Sequence, residues 1–161
     1  TGHKISGIRW DDIHFNDSEY EKWTAYGQSK TAASLLAIEV DKRMKDSGVR
    51  AFGVHPGGIM TPLQRHLEQE EMVALGWMDK DGQPTERVAK MFKTPTQGAS
   101  TSLWAATSPQ LNDIGGVYCE NCEVAAPTDD GENARFIGVN DWAVDSEEAS
   151  RLWDETERML S

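Results

Sequence analysis

The spacing of apolar residues predicts one dominant helix near the start of the chain. Residues 16–48 keep a helical period, and Gly48 is a natural stop for such a helix. Ser18 and Glu21 have the spacing of a capping box at its start. The apolar positions are Ala33, Leu36, Ala37, Val40 and Met44. The helix also carries a group of small residues, which predicts close packing by another element. These are Ser29, Ala32 and Ala33.

Two short apolar runs predict strands of a parallel sheet. The first, residues 49–54 with the sequence VRAFGV, ends just before Pro56 and suits a strand that is buried on both faces. The second lies within residues 115–125. Helices are predicted at residues 61–75, 85–92, 93–110 and 145–160, and an acidic loop at residues 127–133. This order of helices and strands predicts an α/β fold, although two strands are too few for a stable sheet.

Composition and charge narrow the class of protein. The 161 residues carry 16 Lys+Arg against 27 Asp+Glu, a net charge of −11. Nucleic acids and anionic membranes bind to basic faces, so we expect neither as a partner, although a small local cluster could still bind a phosphorylated cofactor. No apolar run approaches the roughly 20 residues that a membrane-spanning helix needs. The expected class is a globular protein of one domain.

Cys119 and Cys122 are the two cysteines of the chain, in the sequence YCENC. A lone C-x-x-C pair could be a redox dithiol or half of a zinc site. The sequence has no second pair, and its four histidines do not lie at metal-ligand spacing. Because the pair lies in a predicted strand, packed or half-exposed thiols without a metal are the favoured interpretation. Two cysteines also fit a reducing compartment, and we expect a cytoplasmic protein.

Tyr26 and Lys30, in the sequence YGQSK, share one face of the predicted long helix because residues four apart are neighbours on a helix. A phenol with a pKa of about 10 is a poor base, but a neighbouring ammonium favours the phenolate and lowers this pKa. Such a pair could exchange the proton of an alcohol–carbonyl couple, and the lysine has donors left for sugar hydroxyls. The alternative is surface packing, the commoner reason for a Tyr and a Lys at this spacing.

The strand at residues 49–54 is followed by the sequence HPGGIMT. Ligands of open α/β sheets bind beyond the carboxyl ends of the strands. A Pro-Gly-Gly turn in that place exposes backbone amides and carbonyls, and Thr61 adds a hydroxyl group. The turn follows the helix that carries Tyr26 and Lys30, so helix, strand and turn together favour the catalytic interpretation of the pair.

The sequences YGQSK, GVRAFGVHPGGIMTPL and TPTQGASTSLWAATSPQLNDIGGVYCENC resemble the C-terminal two-thirds of a short-chain dehydrogenase/reductase, and most closely the retinol-dehydrogenase-like branch of that family. The resemblance extends from His3 to the final helix. It implies that residues 1–161 are the C-terminal portion of a single NAD(P)-binding domain, built on a doubly wound Rossmann-type parallel sheet. That portion would hold the Tyr-Lys helix, the nicotinamide turn, a substrate lid and the C-terminal helix.

The resemblance also implies roles for individual residues. In the family, the tyrosine of the Tyr-x-x-x-Lys motif is the general acid/base, which here is Tyr26. The lysine, here Lys30, holds the nicotinamide ribose and lowers the pKa of the tyrosine. The Pro-Gly-x-x-x-Thr turn contacts the nicotinamide and a nearby phosphate, so the implied cofactor is NAD or NADP. The cofactor-binding residues are then Tyr26, Lys30, Pro56, Gly57, Gly58, Ile59 and Thr61.

The chain also departs from the family pattern. The Gly-rich phosphate loop and the Asn-Asn-Ala-Gly stretch of the family do not occur in these residues. The catalytic serine of this branch lies in a Ser-Ser-x-x-His context, in which His3 fits the histidine and the serine would fall just before Thr1. Ser6 does not match that place. We therefore expect the N-terminal half of the same protein, which is missing from these residues, to be a partner of this chain.

In this family the segment after the turn covers the substrate, which implies an apolar lid here. The candidate lining residues are Met60, Leu63, Leu67, Met72, Leu75, Trp77 and Met78, with ordinary core or lid packing as the alternative for each. The expected reaction is the interconversion of an alcohol and a carbonyl on a small apolar substrate, and a second copy of the chain is a further expected partner. Two alternatives remain: a non-catalytic relative that binds nucleotide or a protein, and a sugar-nucleotide epimerase or dehydratase.

Overall fold

The structure is a computed structural model that describes residues 1–129, 131 and 134–161. Part of the predicted acidic loop at residues 127–133 lies outside the described residues. The helices are α1 (Lys22–Met44), α2 (Gln69–Ala74), α3 (Glu86–Met91), α4 (Pro95–Thr107) and α5 (Ser146–Leu160). The strands are β1 (Phe52–His55), β2 (Val117–Glu120) and β3 (Glu123–Val124). In this part of the chain, no helix is both long and apolar enough to cross a bilayer.

The sheet is small and mixed. β1 pairs with β2 in parallel, with Phe52 opposite Val117, and β3 returns antiparallel to β2. The strand predicted at residues 49–54 forms β1, and the strand predicted within residues 115–125 forms the β2–β3 hairpin. The order β1-β2-β3 confirms the predicted α/β class.

The start of α1 differs from the prediction. The helix is capped by Glu21, whose carboxylate accepts hydrogen bonds from the backbone nitrogens of Trp23 and Thr24 at 2.9 and 2.6 Å. The predicted capping box at Ser18 was wrong because the Ser18 hydroxyl donates to Asp12 instead, at 2.6 Å. The first turn of α1, the helix that carries Tyr26 and Lys30, is therefore capped by a carboxylate rather than by a hydroxyl.

The helix predicted at residues 93–110 is confirmed as α4. Thr94 and Gln97 form a reciprocal capping box, and Pro95 occupies the first helical position. The helix predicted at residues 61–75 is interrupted instead. A 3-10 turn at Pro62–His66 precedes α2, so this region is a series of short pieces rather than one helix.

The buried face of α1 is mostly polar, although it includes the fully buried Leu35. Leu36, within the predicted apolar stripe, is 51% exposed. The buried residues of the helix are Gly27, Gln28, Thr31, Ser34, Leu35, Glu39 and Asp41. The close packing predicted at Ser29 and Ala33 was wrong, because both lie on the exposed face. The close packing on α1 lies instead at Gly27, where a Cβ would lie 2.7 Å from Ile5 Cβ.

The final helix α5 packs against α1. Ala149 is buried, and the Arg43 guanidinium of α1 lies 4.6 Å from the centroid of the Trp153 ring. Met159, in the last turn of α5, is 41% exposed.

A buried carboxylate joins α1 to the start of β1. Asp41 is 6% exposed and accepts from Arg50 Nε at 2.8 Å and from the Ala51 backbone nitrogen at 3.2 Å. The hydrogen bond from the Arg50 guanidinium holds the pKa of Asp41 below its ordinary value. This contact fixes the position of the helix relative to the strand that follows it.

We expect Asp41→Ala to lower the free energy of unfolding of the full-length protein by roughly 2 kcal/mol, because it leaves Arg50 and the Ala51 amide without their acceptor. Asp46→Ala, at an exposed position in the next turn, is the matched control and should change this free energy by less than about 0.5 kcal/mol. Urea unfolding measures both. Equal effects of the two substitutions would contradict the structural role of Asp41.

Candidate active site

Tyr26 and Lys30 lie one turn apart on the first half of α1. The Lys30 ammonium nitrogen lies over the Tyr26 ring, 5.2 Å from its centroid, at the distance of a cation–π contact. Tyr26 is 40% exposed, and Lys30 is also exposed. The two side chains therefore share one face of the helix and remain accessible to a ligand.

The pKa of the Tyr26 phenol is shifted in the direction opposite to the one that the sequence predicts. Burial raises it above its ordinary value, whereas the Tyr-Lys pair predicts a lowering. The Lys30 ammonium is exposed to water and lies over the ring face, so its effect on the phenol is weaker than the effect of desolvation. In this arrangement Tyr26 is protonated at neutral pH, which is the form that donates a proton.

Gly2 lies directly against both side chains. A Cβ at this position would lie 2.7 Å from Tyr26 Cε1 and 2.7 Å from Lys30 Cγ, closer than an ordinary van der Waals contact. The backbone around Gly2 is fixed to α1, since the Thr31 hydroxyl donates to the His3 carbonyl at 3.3 Å. Sequence analysis missed Gly2 because a single glycine carries no local signal of the distant side chains that it contacts.

His3 is a buried structural residue that holds this segment in place. It is 1% exposed, and its Nε2 accepts from the Asn140 backbone nitrogen at 3.2 Å. Its carbonyl accepts from Trp142 Nε1 at 3.0 Å, and its ring meets Tyr118 edge-on with the centroids 4.9 Å apart. Burial lowers the pKa of His3 to about 4, so the imidazole is neutral.

The Pro56–Thr61 turn follows the carboxyl end of β1. Gly57 has a φ of 95°, a conformation that favours glycine, and a Cβ there would lie 2.9 Å from Lys93 Cδ. At Gly58 a Cβ would lie 2.9 Å from the Phe92 ring, and the Gly58 carbonyl accepts from the Lys93 backbone nitrogen at 2.8 Å. Gly57 is therefore required by its positive φ, and Gly58 by the close passage of the Phe92 ring over the turn.

Gln64 binds the polar groups that the family resemblance assigns to the cofactor. Its amide nitrogen donates to the Ile59 carbonyl at 3.0 Å, and its amide oxygen accepts from the Thr61 backbone nitrogen at 2.8 Å. The Thr61 hydroxyl in turn accepts from the Leu63 backbone nitrogen at 3.2 Å. A ligand at Ile59 or Thr61 would have to share these groups with Gln64 or displace its side chain.

The pair and the turn are linked through the first residues of the chain. Gly2 contacts the pair, and the Thr1 backbone nitrogen lies 3.2 Å from Nδ1 of His55, the residue before the turn. Burial lowers the pKa of His55 to about 3, so its ring is neutral. Residues 1 and 2 therefore lie between the Tyr-Lys pair and the residue that precedes the turn.

The candidate lining residues of the lid differ in exposure. Leu63 is 68% exposed and Met60 is 36% exposed. The half-buried ones are Leu67, Met72, Leu75, Trp77 and Met78. The Trp77 ring packs edge-on against the Phe92 ring with the centroids 5.8 Å apart, so packing within the lid accounts for this residue.

Cys119 and Cys122 lie at the β2–β3 hairpin as free thiols. Burial raises the pKa of Cys119 to about 11, which makes it a poor nucleophile at neutral pH. The Cys122 sulfur lies 3.9 Å from Thr101 Oγ1. Across residues 1–129, 131 and 134–161 there is no group of three or more side chains that could hold a metal ion. The packed-thiol interpretation of the pair remains a prediction.

Comparison with known proteins gives the family of the chain. Over 161 residues it is 36% identical to the short-chain dehydrogenase/reductase prx1 of Penicillium roqueforti, covering 100% of this chain and 45% of that protein. It is 41% identical over 145 residues to a "Probable oxidoreductase" of Streptomyces lividans, covering 90% and 48%. It is 28% identical over 158 residues to retinol dehydrogenase 13 of Mus musculus, covering 98% and 42%. No family model matches the chain.

A solved structure has the same fold. An uncharacterized protein from Mycobacterium paratuberculosis superposes with a TM-score of 0.58 and 22% sequence identity, covering 98% of this chain and 46% of that one. At this level of identity the likeness concerns the fold alone.

The names of these relatives are those of dehydrogenases and oxidoreductases. The chain belongs to the short-chain dehydrogenase/reductase family, as the Tyr-x-x-x-Lys and Pro-Gly sequences predicted, and it matches the C-terminal part of its relatives. The match to retinol dehydrogenase 13 confirms the predicted resemblance to that branch. The chain spans about half the length of the curated relatives it matches.

We expect Gly2→Ala to lower the free energy of unfolding of the full-length protein by about 1–3 kcal/mol, because the added methyl group must displace Tyr26 or Lys30. Gly7→Ala is the matched control, since a Cβ at Gly7 would lie at an ordinary 3.7 Å from Trp142. Urea unfolding of both variants measures the effect. A Gly2→Ala protein as stable as Gly7→Ala would show that the contact with the pair is looser than described.

We expect the protein to lose stability as pH falls from 6.5 to about 4, in part because of His3, whose pKa is lowered between these values on folding. In this range the unfolded chain binds the proton and the folded chain does not, so acid favours unfolding. His3→Gln should flatten the dependence, whereas His66→Gln, at an exposed position, should leave it unchanged. Urea unfolding at a series of pH values measures the slope, and identical slopes in wild type and His3→Gln would disprove the assignment.

Proposed function

We propose that this chain forms the nicotinamide end of the active site of an NAD(P)-dependent oxidoreductase that interconverts an alcohol and a carbonyl. The observation that carries the proposal is the shared face of Tyr26 and Lys30, with Gly2 packed against both. The names of the relatives support the reaction class. Because the chain spans about half of those relatives, the activity is that of the whole protein.

Tyr26 moves the proton in this mechanism. Burial raises the pKa of its phenol, so the group is protonated near neutral pH and can donate to a carbonyl oxygen as the alcohol forms. In the opposite direction the phenolate must accept the alcohol proton, and the Lys30 ammonium reduces the cost of that negative charge. Lys30 has three donors, of which some remain for the ribose hydroxyls of the dinucleotide.

The turn after β1 fits the nicotinamide end of a dinucleotide. Gly57 and Gly58 keep its backbone free of side chains, which suits close approach by a flat ring. NAD or NADP, when bound, would supply the two-electron redox chemistry. The residues of the turn that would hold it are Pro56, Gly57, Gly58, Ile59 and Thr61. When the cofactor binds, the Gln64 side chain would have to break or share its hydrogen bonds to Ile59 and Thr61.

The remaining parts of the cofactor site are proposed to come from the N-terminal half of the same protein. The Gly-rich phosphate loop of the family does not occur in these 161 residues. Among the described residues β1 is paired on one edge with β2 and is open on the other. Further parallel strands on that open edge would complete a doubly wound Rossmann-type sheet, in which residues 1–161 are the C-terminal portion of one domain.

The substrate is proposed to be a small apolar aldehyde, ketone or alcohol. The lid contributes half-buried apolar side chains such as Met72 and Leu75, and Met60 within the turn is 36% exposed. Such a surface binds a lipophilic group by removing it from water. The exposed stripe of α1 that includes Leu36 supports a contact with the N-terminal half or with a second copy of the chain.

We expect Tyr26→Phe in the full-length protein to lower turnover by at least about 100-fold, because it removes the proton donor, while dinucleotide binding is retained. Tyr20→Phe is the matched control, since the Tyr20 ring is 66% exposed and lies outside the pair. Oxidation of NADH and NADPH with octanal measures turnover, and calorimetry measures binding of each dinucleotide. Full turnover in Tyr26→Phe would refute the assigned role. A wild-type protein that binds dinucleotide without turning over any aldehyde, ketone or alcohol would favour the non-catalytic alternative.

A further inference from the structure

Glu71 of α2 connects the lid, defined here as residues 61–92, to the start of α1. Its Oε2 accepts from Lys22 Nζ at 2.6 Å, and its Oε1 accepts from Trp23 Nε1 at 3.0 Å. The Glu71 side chain is 19% exposed and that of Lys22 is 54% exposed, so the carboxylate is the better shielded partner. Both carboxylate oxygens of Glu71 therefore accept hydrogen bonds from side chains of two consecutive residues of α1.

Trp23 carries this contact to Tyr26. The two rings meet edge-on, with their centroids 5.9 Å apart and their planes at 84°. Lys30 lies over the Tyr26 ring at 5.2 Å from the centroid, and Gly2 lies against Cε1. The Tyr26 ring is thus bounded by three residues, and the orientation of one of them, Trp23, is set by its hydrogen bond to Glu71.

The lid has a second anchor at its other end. The Phe92 ring covers Gly58, and the Lys93 backbone nitrogen, next to the lid, donates to the Gly58 carbonyl at 2.8 Å. Trp77 packs on Phe92 from within the lid. The lid is therefore attached to the turn after β1 through Phe92 and to α1 through Glu71. The lid is thus held at two points, one of them on the first turn of the helix that carries Tyr26.

We propose that Glu71 is a positioning residue that fastens the lid to α1 and, through Trp23, orients the Tyr26 phenol. The inference rests on the proposed function, in which Tyr26 transfers the proton. α2 has six residues, so few side chains can hold it in place. The ion pair and hydrogen bond of Glu71 are a large share of the contacts that hold such a short helix. Loss of Glu71 would release α2 and leave the Trp23 indole free to turn. The attachment of the lid and the alignment of the tyrosine are thereby coupled.

The kinetic test compares Glu71→Ala with Glu70→Ala, an exposed neighbour on the same helix, in the full-length protein. With octanal as the probe, Glu71→Ala is expected to lower kcat about tenfold, since a misplaced catalytic group can cost about 100-fold, and to leave the Kd of the dinucleotide unchanged. Glu70→Ala should leave both constants unchanged. Glu71→Gln keeps an acceptor for Trp23 and should restore most of kcat.

Trp23→Phe keeps an aromatic ring beside Tyr26 but removes the donor to Glu71. If the two residues act as one unit, Trp23→Phe should lower kcat as Glu71→Ala does, and the double substitution should add little to either single one. Additive effects in this double-mutant cycle would overturn the inference. If Glu71→Ala fails to fold, Glu71→Gln and Trp23→Phe decide the question, and wild-type kcat in Trp23→Phe would overturn it.

Two readouts are independent of activity. Fluorine NMR of fluorotryptophan-labelled protein, with the Trp23 signal identified by its loss in Trp23→Phe, should show that signal shifted in Glu71→Ala and unchanged in Glu70→Ala. Trypsin should cleave faster after Lys80, an exposed lid residue, in Glu71→Ala alone. Suppose that Tyr26→Phe loses turnover, but that Glu71→Ala and Glu70→Ala have the same kcat, the same Trp23 signal and the same cleavage rate. The proposed function then stands, and only the positioning role of Glu71 is overturned. If Tyr26→Phe keeps full turnover, the proposed function fails and the positioning of Tyr26 fails with it.

Discussion

The candidate site depends on the close approach of residues 2–6 to the small and polar face of α1. At Gly27 a Cβ would lie 2.7 Å from Ile5 Cβ and 2.8 Å from the backbone nitrogen of Ser6. The Thr31 hydroxyl, fully buried, donates to the carbonyls of this segment. Larger side chains on this face would separate the segment from the helix. Because the segment is held so closely, Gly2 reaches the Tyr-Lys pair and bounds the ring that is proposed to transfer the proton.

This packing also explains why α1 buries so many polar residues. Several of them bond within the chain, as Glu39 does with Arg43 at 2.6 Å. Part of the apolar stripe, including Leu36, is exposed, and among the described residues β1 has one open edge. Exposed apolar side chains and an open strand edge are features that a larger protein covers. The length of the relatives, about twice that of this chain, agrees with such a cover.

Local patterns predicted much of the fold and part of the site. The α/β class, the capping box of α4 and the shared face of Tyr26 and Lys30 follow from short-range spacing, which sequence reports directly. The buried polar residues of α1, such as Thr31 and Glu39, could not be predicted, because hydrophobicity alone does not show which polar groups are satisfied within the chain. The raised pKa of Tyr26 could not be predicted either, because it depends on the burial of the phenol and on the position of the Lys30 ammonium. The contact of Glu71 with Trp23 joins residues that are distant in sequence, and no local pattern indicates it.

The central claim is that the Tyr26 phenol is the proton donor and that its pKa reflects a balance between burial and nearby positive charge. The direct measurement is the ultraviolet titration of the full-length protein minus that of Tyr26→Phe, with and without NAD or NADP. The account predicts a phenol pKa above the ordinary value of 10.0 in the free protein. It predicts a lower pKa with the oxidised dinucleotide bound, because the positively charged nicotinamide adds a cation to the site. A phenol pKa that is the same with and without either dinucleotide would contradict the claim.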